Sequence, residues 1–165
     1  MILPHELCRA HYAVPGKKLL VRHMLMPDLM EYMGLLGQLS TLGTHLDWLK
    51  NFQNLIQWND GPIIFVAEWR KKVIACATLF IEPKLSHGGQ PVAHVEDVVV
   101  DKKRRGSGVG QKLVEHLVLV AKHLKCRKVL LACAESNKAF YEKCGFRHTE
   151  CSMRLDLEPT EAKAC

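Results

Sequence analysis

The sequence predicts an α/β chain, α+β-like in its layout, with a mixed and mostly antiparallel twisted sheet flanked by helices. Three observations lead there. Residues 62–82, "PIIFVAEW" then "RKK" then "VIACATLFIE", are two apolar runs around a short polar break, a β-hairpin pattern. Residues 92–134 read as strand, glycine turn, amphipathic helix and strand, one late β-α-β unit. The remaining elements do not alternate strictly, which argues against a doubly wound dinucleotide-binding sheet.

Taken in order, residues 17–25, "KKLLVRHML", suggest the first strand. Pro27 and Asp28 can open a helix that runs to about Gly37, because proline suits the first helical turn. Gly43 and Thr44 start another: Thr44 with Asp47 resembles a capping box, and Leu46, Leu49, Phe52, Leu55 and Ile56 follow at helical spacing until Asn59–Gly61. The hairpin comes next, then a loop over 83–91 with Gly88 and Gly89, then a strand over Val92–Val100. After the glycines, Val109, Leu113, Leu117, Ala121 and Leu124 mark one apolar helical face. "KVLLACA" is another strand. "SNKAFYEKCG" is a short helix with Ser136 as N-cap and Gly145 past its end, and "FRHTECSMRL" is a closing strand.

The 165 residues suit a single domain, 1–165, with a core over about 17–156 and mobile ends at 1–15 and 157–165. No apolar run reaches membrane-spanning length, and the start "MILPHELCRA" lacks a secretory layout. A soluble chain is expected, cytoplasmic by default, with a peroxisome-like organelle left open. Seven cysteines, an odd number, show no C-x-x-C spacing. Cys76, Cys126, Cys133 and Cys151 in or beside apolar runs read as reduced, mostly buried thiols. The nine histidines form no H-x₃-H pair, so no metal is expected. The net charge of +6 favours an anionic ligand. Only three Tyr and three Trp are available for base stacking and none lies near the cationic run 102–105, so nucleic acid is not the expected partner.

The stretch "KKRRGSGVGQKLVEHL", Lys102–Leu117, carries the chemistry. It fails the Walker A pattern and the dinucleotide fingerprint, both at Gln111 counted from Gly106. What remains is R-x-x-G-x-G from Arg105 through Gly108 to Gly110, between a strand and a helix. Glycines let a ligand approach the main chain, and the first N–H groups of the helix lack internal partners and carry partial positive charge. Together they make a pyrophosphate socket, with Arg104, Arg105 and Lys112 as added cations. A plain turn, or a nuclear-localisation-like KKRR, fits the spacing as well.

"VVVDKKRRGSGVGQKLV", followed about thirty residues later by "SNKAFYEKCGF", resembles the GCN5-related N-acetyltransferases. "GQLSTLG" (37–43), "ATLFIEPKLSH" (77–87), "HVEDVVVD" (94–101) and "FYEKCGF" (140–146) resemble the branch that acetylates glucosamine 6-phosphate; the likeness covers roughly residues 20–155. It implies a direct transfer from acetyl-CoA to the amine of that sugar in a ternary complex. Cys133 and Cys144 are then packing residues rather than nucleophiles.

The resemblance also implies roles. The backbone of Val98, Val99 and Val100 would bond the pantetheine arm like an added strand and supply an oxyanion donor. Arg105, Gly106, Ser107, Gly108, Val109, Gly110 and Gln111 would hold the pyrophosphate, with Asn137 and Lys143 on the cofactor. Tyr141 would support the departing thiolate. Glu96 and Asp97, adjacent in an apolar strand and so expected on opposite faces, would hold the sugar and its amine, and Glu96 or a bridging water would take the proton. Lys84 and His87, with Ser40 or Thr41, would bind the sugar phosphate; Arg127 and Lys128 are weaker candidates. Two departures stand out. Ala132 replaces an acidic residue, leaving the base unassigned. Asp156 stands where relatives carry a phosphate-binding Arg that reaches a partner subunit, with Arg154 as a substitute, so a homodimer with its last strand at the interface is expected. Acetyl transfer to a different amine, or CoA binding without catalysis, remain the alternatives.

Overall fold

The computed structural model describes residues 3–42, 50, 52, 61–149 and 153–155, apart from the side chain of Lys17. Its frame is a six-stranded sheet in the order β1-β2-β3-β4-β5-β6: β1 Arg9–Val14, β2 Lys17–His23, β3 Ile63–Trp69, β4 Lys72–Glu82, β5 Val92–Val100 and β6 Lys128–Leu130. All neighbours are antiparallel except β5 and β6, which run parallel with the crossover helix α3, Val109–His123, between them. The remaining helices are a single turn α1, His5–Cys8, then α2, Leu29–Leu36, and α4, Lys138–Lys143.

Two apolar layers sandwich the sheet. On one face α3 lays Val109, Leu113, Leu117, Val120 and Ala121 against Leu19, Val21, Phe65, Ala77, Leu79 and Val95. On the other, α2 buries Leu29, Tyr32, Met33 and Leu35 against Val66, Cys76 and Val99, joined by Phe52. The expected apolar face of α3 is therefore correct except that Leu124 is only partly buried and His116, in the middle of the helix, is fully buried. His116 is satisfied locally: Tyr12 Oη lies 2.7 Å from its Nδ1, and its Nε2 lies 3.0 Å from the Leu7 carbonyl. The tautomer that fits has Nε2–H donating to Leu7 and Nδ1 accepting from Tyr12.

Within the stretch 1–15 expected to be a mobile end, His5–Val14 form α1 and β1, and Leu7 and Tyr12 hold His116. Along β1, Ala10, Tyr12 and Val14 turn inward while Arg9, His11 and Ala13 face out. Pro15–Gly16 closes the hairpin to β2, with Gly16 at φ +69, where a non-glycine residue would be strained. The expected strand over 17–25 is β2, ending at His23. Arg22 then anchors the chain as it leaves the sheet: it bonds both oxygens of Asp28 (2.6 and 2.9 Å) and Glu68 (2.9 Å), and Asp28 also accepts from Leu25 N–H. The first helix opens through a 3₁₀ turn at Met26–Asp28, as Pro27 requires.

The hairpin over 62–82 and the strand over 92–100 are as expected. Four other expectations change. The strand over 128–134 stops at Leu130. Ser136 is no N-cap; it lies in a 3₁₀ turn, Glu135–Asn137, ahead of α4, and no side chain caps that helix. None of residues 146–149 or 153–155 forms a strand, although β6 leaves an open edge of the sheet; residues 150–152 lie outside the described set. Cys133 is exposed, not packed, whereas Cys76 is buried and Cys126 and Cys144 are half-buried. Cys151, residues 157–165 and most of the helix expected from Gly43 also lie outside the described residues, although Lys50 and Phe52 are helical. No helix among the described residues is long and apolar enough to cross a membrane.

Candidate active site

The site is made by two irregularities of β5. The first is its short ladder with β6. Pairing covers Val92–Lys128, Ala93–Val129 and His94–Leu130 and then ends, so Val95–Val100 runs on beside β4 alone. That side of β5 presents unpaired main-chain groups, open to an extended ligand. Val98 and Val100 border that side, with two qualifications: the Val100 carbonyl already accepts from Arg105 Nε at 3.2 Å, and Val99 between them is buried with its main chain turned to Cys76 on β4.

The second irregularity is a β-bulge. Thr78 pairs with Glu96 but Cys76 pairs with Val99, so β5 carries one residue more than β4 over this stretch. Asp97 takes up the slack at φ +51, a left-handed conformation that Asp tolerates better than most residues, at a strain on the order of 1–3 kcal/mol. Strict alternation is thereby broken. Glu96 and Asp97, expected on opposite faces of the strand, are both exposed. Underneath, the Cys76 thiol lies 3.9 Å from the Asp97 carbonyl. Burial first, and then the Asp97 charge, push the Cys76 thiol up to about 12. Partial desolvation raises the Asp97 carboxyl itself. Tyr32 from α2 is part of the same cluster. Its phenol is pushed up to about 12, by burial and then by the charges of Cys76 and Asp97. The Thr78 hydroxyl opposes it at the limit of contact: it influences Tyr32, yet is buried without a partner at hydrogen-bonding distance.

Beyond β5, Lys102–Arg104 form a 3₁₀ turn capped by Asp101, and the glycines follow. Gly106 (φ +73) and Gly108 (φ +80) take conformations that side chains resist, and Gly108 sits at the N-cap of α3. Ser107 Oγ donates to the Arg104 carbonyl at 2.6 Å, bracing the turn. The N–H groups of Val109, Gly110 and Gln111 are thus the unpaired start of a 15-residue helix, as a pyrophosphate socket requires. Gly110 has a different purpose. A Cβ there would sit 3.1 Å from Val100 and 3.3 Å from Phe140, so its absence lets α3 close on β5 and α4. The expected cations divide. Arg104 lies over the Trp69 ring (4.4 Å), Lys112 is paired with Glu115 (2.8 Å), and Arg105 stays exposed at the turn.

Across the gap, α4 carries Tyr141 half-buried between Phe140 and Phe146, with Asn137 and Lys143 exposed at its two ends. The Tyr141 phenol is pushed up to about 12, first by burial, then by Cys133, Cys144 and Glu96. It stays protonated across the physiological range and donates. Glu96, read separately from the sequence, is thus within electrostatic reach of Tyr141, as the smallest of those influences.

Of the phosphate-binding candidates, Lys84, His87, Arg127 and Lys128 lie toward the other end of β5, and Ser40, Thr41 and Arg154 do not join them. Lys84 and His87 lie in the loop from β4, and Arg127 N–H donates to the Pro91 carbonyl where that loop ends (2.9 Å). Lys128 pairs with Val92, which pairs with Glu82, so one row crosses three strands. Lys84 is not a bare cation: its Nζ bonds Glu82 Oε1, and His94 Nε2 lies 3.0 Å from Glu82 Oε2. Ser40 and Thr41 are exposed just past α2, in a segment tied to the glycine turn where Lys102 N–H donates to Gln38 Oε1 at 3.0 Å. Arg154 is exposed and in no element. Glu82 and His94 were not singled out from the sequence, although Glu82 stands inside the quoted loop and His94 is two residues from Glu96, on the same face by alternation. Among the described residues no group of His, Cys, Asp or Glu could hold a metal.

Comparison with known proteins agrees with this geometry. The Acetyltransferase (GNAT) family model matches residues 27–146. Glucosamine 6-phosphate N-acetyltransferase of Trypanosoma brucei brucei is 43% identical over 57% of this chain and 64% of its own length, so the match spans just under two thirds of that relative. The Arabidopsis thaliana protein of the same name is 36% identical over 74% of this chain and 85% of its own. The crystal structure of glucosamine-6-phosphate N-acetyltransferase from Arabidopsis thaliana superimposes with a TM-score of 0.77 at 33% identity, covering 85% of this chain and 99% of that one. A splayed β5–β6 pair, a glycine turn that opens a helix and a family match over most of the chain lead to one assignment: the chain belongs to the Acetyltransferase (GNAT) family.

Proposed function

We propose that the chain transfers the acetyl group of acetyl-CoA to the amine of D-glucosamine 6-phosphate, giving N-acetyl-D-glucosamine 6-phosphate on the route to UDP-N-acetylglucosamine, as one N-acetyltransferase domain. The observation that carries this reading is the early end of the β5–β6 ladder beside the unpaired N–H start of α3, with the half-buried Tyr141 phenol across the gap. A Glu96 carboxylate can hold or deprotonate an ammonium, and a protonated phenol can donate to a leaving thiolate. The names of the relatives support the substrate.

The step is a single displacement. The pantetheine arm lies along Val98–Val100, and Gly106–Gln111 with Arg105 hold the pyrophosphate; Asn137 and Lys143 line the same side. The amine nitrogen attacks the thioester carbonyl carbon, a main-chain N–H of the β5 stretch meets the developing oxyanion, and the C–S bond breaks. Glu96, directly or through water, takes the ammonium proton before the attack, and the second N–H proton, lost as the amide forms, passes to the departing sulfur or to water. Tyr141 donates a hydrogen bond to the sulfur; its phenol is several units weaker as an acid than a thiol, so the bond stabilises the thiolate without full proton transfer. Asp97 holds the sugar. Lys84 and His87, with Ser40 or Thr41 and with Arg127 and Lys128 at the rim, receive the phosphate. Cys144, its thiol pushed up to about 11 by burial and by Glu115, is a poor nucleophile, in keeping with transfer that forms no acetyl-enzyme.

We place the active form as a homodimer. Met153 and Leu155 are 96% and 83% exposed, and a second copy would cover them and bring Arg154 toward the partner's site. Sedimentation of a fully active monomer would remove this part. The free thiols suit the reducing cytoplasm. The activity itself is tested by CoA release with glucosamine 6-phosphate, unphosphorylated glucosamine and a peptide panel. The first should be used fastest. Equal rates for the two sugars would refute the phosphate assignment, and preference for a peptide would move the chain to another amine.

A further inference from the structure

We propose that His94 and Glu82 form a positioning relay that aims Lys84 at the sugar phosphate and sets its distance from the reacting amine. The inference rests on the substrate reading above and adds two residues to it.

Lys84 stands in an irregular loop, where His87, Gly88 and Gly89 all take positive φ. A lysine side chain there carries about 2 kcal/mol of rotamer entropy and would not by itself hold one position. Glu82 removes that freedom. It is the last residue of β4, and each of its oxygens is engaged: Oε1 by Lys84 Nζ, Oε2 by His94 Nε2 at 3.0 Å. His94 in turn lies on β5, in the regular part of the ladder, where Phe80 pairs with His94 and Thr78 with Glu96. The bulge begins only after Glu96. His94 and Glu96 therefore share one face, about 7 Å apart along the strand. The chain of contacts runs from the strand that bears the reacting carboxylate, through Glu82, to the cation for the phosphate. An amino sugar phosphate carries its phosphate and amine at different ends of the ring, so a fixed spacing between Lys84 and Glu96 selects for both together.

A surface salt bridge is the plain competitor. An exposed pair contributes little to stability, and removing it would leave catalysis alone. The relay predicts the opposite pattern: little change in folding and a loss confined to the phosphorylated sugar.

The experiment compares His94→Leu, His94→Gln and Lys84→Ala in the full chain, by steady-state kinetics and by calorimetric binding of glucose 6-phosphate, which has the phosphate but no amine. His94→Leu should raise KM for glucosamine 6-phosphate about tenfold, the effect of one lost charge-assisted hydrogen bond, and weaken glucose 6-phosphate equally. Turnover number, KM for acetyl-CoA and melting temperature should hold. His94→Gln, whose amide can still donate to Glu82, should recover most of the loss. In a Lys84→Ala background His94→Leu should add nothing. Unchanged KM in His94→Leu, or an equal rise for unphosphorylated glucosamine, overturns the relay while leaving the substrate reading intact. Wild-type protein that neither binds glucose 6-phosphate nor prefers the phosphorylated amine overturns both.

Discussion

The Tyr141 phenol on α4 is raised first by burial, then by Cys133 and Cys144, and last by the Glu96 carboxylate on β5, a residue of a different element. Removing the charge should therefore be visible on the phenol. Glu96→Gln should lower the Tyr141 ionisation from about 12, read by ultraviolet difference titration against Tyr141→Phe. An identical titration in both Glu96 forms would place the two groups in separate sites.

Tyr141→Phe should reduce the turnover number by about a hundredfold, the scale of one well-placed donor to developing charge, with substrate KM values nearly unchanged. Because the phenol stays protonated well above neutral pH, the pH–rate profile of the variant should keep the wild-type shape and only drop in height. A new alkaline break in the wild type alone, near pH 8, would show a different ionisation at work.

The two interior glycines of the turn should fail differently. Gly110→Ala places a methyl 3.1 Å from Val100 and 3.3 Å from Phe140, an overpacking that costs about 1–3 kcal/mol of stability in denaturant melts. Gly108→Ala meets only Val14 at 3.8 Å but must adopt φ +80, a strain of about 1–2 kcal/mol. Its main effect should be weaker CoA binding by calorimetry, since the αL turn aims the helix N–H groups. Equal stability losses with equal CoA affinities would contradict this division.

His116 sets a pH limit on folding. Burial, and the nearby His23, lower its pKa, the Leu7 bond offsetting in part, and burial lowers that of His23 too. The unfolded chain then binds protons at a pH where the folded chain does not. The stabilising contribution is full above about pH 6.5, the unfolded value, and is lost as pH falls toward the depressed folded values. Melting temperature should thus decline from pH 7.5 to 5, less steeply in His116→Gln. Parallel pH dependences in the two proteins would clear His116.

Asp28 acts at lower pH. The Arg22 guanidinium, above all, holds its carboxyl below the usual range. Its contribution is present above about pH 3.8 and fades as pH falls through the depressed value. Asp28→Asn at neutral pH should cost about 1.5–3 kcal/mol, the worth of hydrogen bonds to a charged group, because it leaves a mostly buried Arg22 short of a partner. A loss below about 0.5 kcal/mol would mean that Glu68 alone satisfies the guanidinium.

Much of this protein was legible along the chain because the signals are local. The hairpin, the strand over 92–100, the α3 face and the glycine spacing each lie within one short continuous stretch of chain, where periodicity and turn chemistry act. β1, Arg9–Val14, is only weakly legible: Pro15–Gly16 marks the turn after it, but His11 and the small Ala10 and Ala13 give it a weak apolar alternation. What needed the fold were relations between distant segments: His116 closing on Tyr12 and Leu7, the early end of the β5–β6 ladder, the bulge that brings Glu96 and Asp97 into the open together, and the chain from His94 through Glu82 to Lys84. A residue's neighbours in sequence state its own conformational preference. Its charge state, its partners and the direction it faces depend on which strand lies beside it and in what register, and that is settled by packing the whole sheet at once.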